Sequence, residues 1–263
     1  MKNKINKKQQ RNRKSVRLLH RIFRRKKTAA AVIVAAGSST RMGGDKSKQL
    51  LCVDGLPVIV RSAAAFDAVD GIGYVIVVAR PCDAEEIKAL LTAHGIKKVR
   101  AIVPGGETRR ESVLRGVEAL DADTDFVAIH DGARCLVTPK MINEVLDTAK
   151  RTGAASAGTP VRDTIKQVSF WNVVESTPDR DKLWAAQTPQ IFSAGLYRAA
   201  AYYADKDGAE VTDDNSILER LGGKVTMVDC GPTNVKVTSP EDIAVAEALL
   251  KYRTETERED IEK

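Results

Sequence analysis

Runs of small and β-branched residues alternate along this chain with stretches in which apolar positions return every three or four residues. Residues 30–36, 74–79, 99–103 and 126–129 are short and almost unbroken in apolar character, as strands buried on both faces are. Residues 58–68, 83–94, 111–120 and 139–152 carry the helical period instead. The alternation predicts successive βα units: an α/β, Rossmann-like fold with a mostly parallel central sheet flanked by helices. Right-handed crossovers then bring the carboxyl end of every strand to one rim, where a ligand binds.

The pattern changes after Gly153. Residues 154–161 and 163–168 read as strands, but 169–182 is polar with no core period, so residues 162–186 are expected to form a projecting β-arm. Helices at 193–204 and 214–221 follow, then strands at 225–228 and 234–237. A last helix is opened by Pro240, proline being suited to a first helical turn. With 263 residues, 43% of them hydrophobic, the chain can bury a full core. The expected organisation is a basic extension over residues 1–28, one domain over 29–251 that includes the arm, and a charged tail over 252–263.

Composition changes the picture at one end only. Residues 1–27 hold thirteen Lys and Arg and no acid, so the formal charge of +7 becomes −6 beyond them, 29 basic against 35 acidic residues. A solvated leader is the reading this composition favours; contact of the basic tail with nucleic acid or an anionic membrane, through the loosely amphipathic residues 16–23, is the alternative. No apolar run reaches membrane-spanning length, and neither a secretory nor an organellar leader fits, since no apolar core follows the charges and Ser15 is the only serine there. The expected location is therefore cytoplasmic. Cys52, Cys82, Cys135 and Cys230 form no C-x-x-C pair and are expected to be reduced thiols. Three histidines, His20, His94 and His130, leave little material for a metal site or a catalytic triad, and His130 reads as a hydrogen-bonded structural residue.

Candidate chemistry gathers on the predicted rim. The first strand runs into Gly37-Ser-Ser-Thr-Arg-Met-Gly-Gly44, where small residues let backbone N–H groups approach the anionic oxygens of a nucleoside triphosphate. Arg41, Lys46 and Lys48 add positive charge there. Neither a Gly-Lys-Ser/Thr closure nor Gly-x-Gly-x-x-Gly is present, so the segment is no P-loop or dinucleotide fingerprint; a plain strand-to-helix turn is the other explanation. Pro104-Gly-Gly-Glu-Thr-Arg-Arg-Glu-Ser-Val113 follows the third strand and His130-Asp-Gly-Ala-Arg134 the fourth. An ordinary turn would equally account for Gly105 and Gly106. Asp213 and Asp214 read as acids opening a helix rather than as metal ligands.

Further segments are Pro160-Val-Arg-Asp-Thr-Ile-Lys166, Leu183-Trp-Ala-Ala-Gln-Thr-Pro-Gln190, Thr212-Asp-Asp-Asn-Ser216 and Asn234-Val-Lys-Val-Thr238. In this order, and with Lys48-Gln49, residues 29–250 resemble the 2-C-methyl-D-erythritol 4-phosphate cytidylyltransferases of non-mevalonate isoprenoid biosynthesis. The resemblance implies attack by the phosphate of methylerythritol phosphate on the α-phosphorus of CTP, with pyrophosphate leaving in line and Mg²⁺ as the divalent cofactor. It implies that Arg41, Lys48 and Lys236 stabilise the pentacoordinate phosphorus, with Lys46 the nearest competitor for the role of Lys48. Ala35, Ala36, Gly37, Gly105, Gly106 and Ser112 are then nucleotide-binding. Asp131 binds the ribose hydroxyls or reaches Mg²⁺ through water, the metal being held mainly by the nucleotide's phosphates; a helix cap is its plainer use. Arg134, Thr164, Arg180, Thr188 and Thr212 match positions that grip methylerythritol phosphate. Thr164 and Arg180 lie in the arm, and the resemblance implies a homodimer whose arms cross so that Arg180 completes the partner's site. Ser47 and Cys135 depart from the family, each standing where proline is usual.

Ribitol-5-phosphate cytidylyltransferase is the nearest rival. Ala-Ala-Gly at 35–37 in place of Ala-Gly-Gly counts against it, as do residues 160–164 and 212–216. A sugar-1-phosphate nucleotidyltransferase would carry Gly-Gly-x-Gly-Thr-Arg-Leu. A catalytically inactive nucleotide- or RNA-binding module is the alternative of another class, and the presence of all three cations argues against it.

Overall fold

A computed structural model describes residues 28–37, 47–206 and 212–261. Arg41 and Lys46, with most of the first glycine turn, and the basic extension lie outside them. The centre of the molecule is a seven-stranded sheet. In spatial order its strands are β11 (Thr226–Asp229), β7 (Ala154–Pro160), β10 (Trp184–Ser193), β6 (Phe126–Asp131), β1 (Ala29–Ala35), β4 (Ile72–Ala79) and β5 (Val99–Pro104). Two small hairpins stand apart, β2 (Cys52–Val53) with β3 (Leu56–Pro57) and β8 (Gln167–Val168) with β9 (Val174–Ser176). Every strand of the main sheet is parallel except β10, which runs antiparallel between β6 and β7.

Strand β1 pairs on both edges and is covered on both faces, so only a run of Ala, Val and Ile fits it. Helices α1 (Val58–Asp67), α2 (Ala84–Ala93) and α4 (Pro139–Thr152) pack one face around Ile33, Phe66, Val75 and Leu146. Helices α3 (Arg109–Glu118), α5 (Ala194–Lys206) and α6 (Asp214–Glu219) pack the other around Val32, Ile76, Phe192 and Tyr197. Helix α7 (Glu241–Ile261) covers a third, smaller cluster that includes Val53, Cys135, Val237 and Ala246. Helix α4 shows why these segments end where they do. Thr138 Oγ1 accepts from Met141 N–H (3.2 Å), Pro139 opens the first turn, and Gly153 closes the helix at φ 90°. Its buried residues Ile142, Val145, Leu146 and Ala149 fall on one stripe.

From β1 the chain winds outward to β4 and β5, then returns to β6 on the opposite side of β1. The order therefore reverses between β1 and β6, and their carboxyl ends flank a crevice.

Three local expectations need correction. Residues 163–168 are strand only at Gln167–Val168, within a hairpin whose side chains face solvent. Residues 234–237 form no strand; Asn234 is fully buried and is tied down by side-chain bonds, while Val237 N–H makes one backbone bond, to Ala133 O (2.9 Å). Residues 184–186, expected to end the arm, instead open the longest strand of the sheet, Trp184–Ser193, its register shifted between Ala186 and Gln190. At the turn of the β8–β9 hairpin Phe170 is 89% and Trp171 79% exposed. The last helix continues through the charged tail to Ile261. Among the described residues no helix is long and apolar enough to cross a membrane.

Candidate active site

Two turns meet above the crevice. Gly105 N–H donates to Ala79 O (2.8 Å), which carries the β5 turn over β4 towards β1. A Cβ on Gly105 would collide with Ala36 and lie 3.0 Å from Ser112 Oγ, and one on Gly106 would collide with Glu111. Close approach, not backbone twist, requires glycine at both positions. Helix α3 starts directly beneath. Thr108 Oγ1 accepts from Glu111 N–H (3.1 Å), the Glu111 carboxylate accepts from Glu107 N–H (2.9 Å), and Ser112 Oγ accepts from Gly106 N–H (3.1 Å). This cap makes Arg109 the first residue of the helix and brings its guanidinium to the end of β6.

The resulting open cleft has a volume of about 650 Å³. Its lining includes Ala36, Gly37, Lys48, Gln49, Arg80, Gly106, Arg109, Ser112, Asp131 and Lys236. Charges alternate along one side of it. Lys236 Nζ lies 2.7 Å from Asp131 Oδ2, Arg109 Nε donates to Asp131 Oδ1 (3.1 Å), and Arg109 Nη2 donates to Asp214 Oδ2 (2.8 Å). Tyr197 OH closes the series on Asp214 Oδ1 (2.7 Å). Burial opposes ionisation of Asp131, but the Arg109 and Lys236 cations outweigh it and hold the carboxyl below its usual range. Burial likewise opposes charge on Arg109, and Asp214 and Asp131 more than restore it. Burial and then the Asp214 charge push the Tyr197 phenol well above its ordinary value, so it remains a donor.

His130 is wholly buried, and desolvation lowers its pKa to about 3 in spite of Asp131 beside it. It is therefore neutral at physiological pH. Its Nε2 faces Arg134 O (3.3 Å) and its Nδ1 faces Thr188 Oγ1 (3.1 Å), which assigns the proton to Nε2 and makes Thr188 the donor to Nδ1. The Thr188 hydroxyl also accepts from Asp131 N–H (3.0 Å), so it braces the end of β6. Asn234 holds the opposite wall. Its side-chain amide donates to Gln187 Oε1 (3.0 Å) and Thr188 O (2.9 Å), and its backbone carbonyl accepts from Arg134 Nη1 (2.7 Å). Lys236, two residues on, thereby enters the cleft from a loop near the end of the chain.

Of the positions singled out in the sequence, Ala36, Gly37, Lys48, Gly106, Ser112, Asp131 and Lys236 line this cleft. Ala35 is buried in the core at the end of β1, and Gly105 supports the lining from behind. Arg134 is half-buried, its charge disfavoured by burial and its Nε without a partner among the described residues. Thr212 is exposed with its hydroxyl 3.5 Å from Ser216 Oγ. Thr164 and Arg180 are exposed in the arm, Arg180 donating to Arg162 O (3.1 Å), and neither lines the cleft. Asp131 ends a strand and caps no helix; Asp213 does, accepting from Ser216 N–H (3.0 Å). Cys135 is buried, its thiol raised to about 11 by desolvation, and Ser47 Oγ is buried without a partner among the described residues. Arg109, Gln49 and Arg80 also line the cleft without a role predictable from the sequence, although Arg109 lies within the Pro104–Val113 motif and Gln49 beside Lys48.

A sheet of this order with a cationic crevice at its reversal point, roofed by glycine turns, is that of a nucleotidyltransferase. Residues 29–252 match the sequence model of 2-C-methyl-D-erythritol 4-phosphate cytidylyltransferase. The chain belongs to that family. The enzyme of this name from Synechococcus sp. (strain WH7803) is 46% identical over 81% of this chain and 95% of its own length. That from Nostoc punctiforme is 40% identical over 81% of this chain and 94% of its own. Among solved structures, 4-diphosphocytidyl-2C-methyl-D-erythritol synthase from Anaerococcus prevotii superposes with a TM-score of 0.77 at 31% identity, covering 86% of this chain and 97% of that one.

Proposed function

We propose that this chain joins CTP to 2-C-methyl-D-erythritol 4-phosphate, releasing pyrophosphate and forming 4-diphosphocytidyl-2-C-methyl-D-erythritol, a step of isoprenoid precursor synthesis. The observation that carries the reading is the meeting of Lys48 and Lys236, far apart in sequence, in one cleft with Gly37, Gly106 and Ser112. The attacking phosphate oxygen is already anionic at neutral pH, so no general base is needed, and buried neutral His130 is not available as one. The obstacle is repulsion between two polyanions. Lys48, Lys236 and, by resemblance, Arg41 answer it by neutralising charge that grows on the α-phosphate oxygens. The backbone around Ala35–Gly37 and Gly105–Gly106, with Ser112, holds the cytidine in this reading, and Arg134, Thr188 and Thr212 are, by resemblance, the residues that receive the second substrate.

The cleft offers two carboxylates, Asp131 and Glu107, and among the described residues no three His, Cys, Asp or Glu side chains gather as a metal cage. This donor set would suit a Mg²⁺ held mainly by the nucleotide's phosphates, with Asp131 the residue of the chain that would support it. When bound, the ion supplies positive charge to the phosphate oxygens. The reading also includes a homodimer. Ile165, Val168, Phe170, Trp171, Val173 and Val174 put more apolar surface into solvent on one hairpin than a lone subunit ordinarily tolerates, and a partner's arm and cleft would cover it while receiving Thr164 and Arg180.

Pyrophosphate release with CTP and Mg²⁺, with and without methylerythritol phosphate, tests the reaction. Release that depends on methylerythritol phosphate is expected. Release with ribitol 5-phosphate alone would transfer the assignment to the rival enzyme, and no release with either would leave a nucleotide-binding module.

A further inference from the structure

Asp214 does not line the cleft and is almost wholly buried, yet both its carboxylate oxygens are committed, one to a core phenol and the other to Arg109, which does line it. Tyr197 OH fixes Oδ1 at 2.7 Å and Arg109 Nη2 fixes Oδ2 at 2.8 Å. Its own N–H, and that of Asn215, donate to Gln190 Oε1 at 3.0 Å and 3.2 Å, which fastens the turn to strand β10. Arg109 then engages only Oδ1 of Asp131, leaving Oδ2 to Lys236 at 2.7 Å. A buried ion pair is a poor means of stabilisation compared with apolar packing, so a buried acid tied to a series of this kind asks for another explanation.

We propose that Asp214 is a positioning residue for nucleotidyl transfer: through Arg109 it fixes the orientation of the Asp131 carboxylate, and through that carboxylate the place of the Lys236 ammonium. Tyr197 supports it from the core. The inference rests on the reading of Lys236 as a cation that acts on the reacting phosphorus. It distinguishes Asp214 from its neighbour Asp213, whose carboxylate only caps helix α6 and receives Gln190 Nε2 (2.9 Å).

A double-mutant cycle tests it. Lys236→Gln is expected to lower kcat about 100-fold to 1000-fold. Asp214→Asn, with folding verified by circular dichroism, is expected to lower kcat by about 100-fold while KM for CTP changes little. In the Lys236→Gln background the same change should cost less than about threefold, because the residue it acts through is already gone. Wild-type kcat in folded Asp214→Asn, or a loss that multiplies in full in the double variant, overturns the inference alone. Undiminished turnover by Lys236→Gln overturns the reading of the site and the inference with it. If Asp214→Asn does not fold, Tyr197→Phe enters the same cycle with an expected loss of about tenfold that vanishes beside Lys236→Gln; full activity or a multiplicative loss there decides against the proposal.

Discussion

The ammonium of Lys236 rests on Asp131, and Asp131 is shared with Arg109. A nucleotide entering the cleft meets this carboxylate already neutralised, so the α-phosphate does not face an uncompensated negative charge. Replacing Asp131 by Ala is expected to raise KM for CTP and, by leaving Arg109 half-buried with one partner fewer, to lower thermal stability by about 3 kcal/mol; calorimetry and steady-state kinetics on one preparation check both. His130 yields a prediction in pH. Its ordinary pKa of 6.5 falls to about 3 in the folded chain, so between those values the unfolded chain holds the extra proton and stability declines as pH drops. The unfolding free energy from urea titrations should fall between pH 7 and pH 5, by up to about 1.4 kcal/mol per pH unit, and fall less in His130→Gln. Asp131 cannot produce the same slope, because its depressed pKa moves any loss below the ordinary carboxylate range. Parallel declines in both proteins would remove His130 as the cause. Single residues were legible in proportion to how local their role is. Lys48 and Asp131 lie in short motifs that could be placed from the sequence, whereas the pairing of Arg109 with Asp214 spans 105 positions and has no periodic signature.

At the scale of elements, the junction between the β1 and β5 turns is the most constrained contact of the cleft. Gly105→Ala must push Ala36 and Ser112 apart, and a displacement of about 1 Å here is expected to cost on the order of 100-fold in kcat/KM with little change in melting temperature. Unchanged kinetics would show that the turns give way without consequence. Thr108→Ala removes the cap of α3 and should destabilise the protein by about 1 kcal/mol in urea unfolding. Helices and parallel strands of the first half were readable because each stretch keeps one period throughout. Strand β10 was not. It carries Gln187, Thr188, Pro189 and Gln190 where a strand usually alternates, since those side chains are recruited to hold Asn234, His130 and the Asp213–Asn215 turn. The segment at 234–237 misled in the opposite sense: alternation in its sequence serves a loop pinned by Asn234 on one side and pointing Lys236 into the cleft on the other.

For the whole molecule, the proposed dimer and the basic extension make separable predictions. Phe170→Asp combined with Trp171→Asp should give a monomer by light scattering, with turnover falling because Arg180 no longer reaches a neighbouring cleft; a fully active monomer would refute arm exchange. Removal of residues 1–27 is expected to leave kcat unchanged, since the family match begins at residue 29 and the cleft lining runs from Val34 to Lys236. The position of β10 between β6 and β7 also bears on how the polypeptide leaves the ribosome. Strand β7 has only β10 and β11 as neighbours in the sheet, and both are translated after it. Until residue 193 has emerged, the N-terminal half offers β6 as a raw edge while β7 waits beside it unpaired. Nascent chains stalled in that interval are expected to recruit chaperones or aggregate more readily than those stalled after β10 has paired.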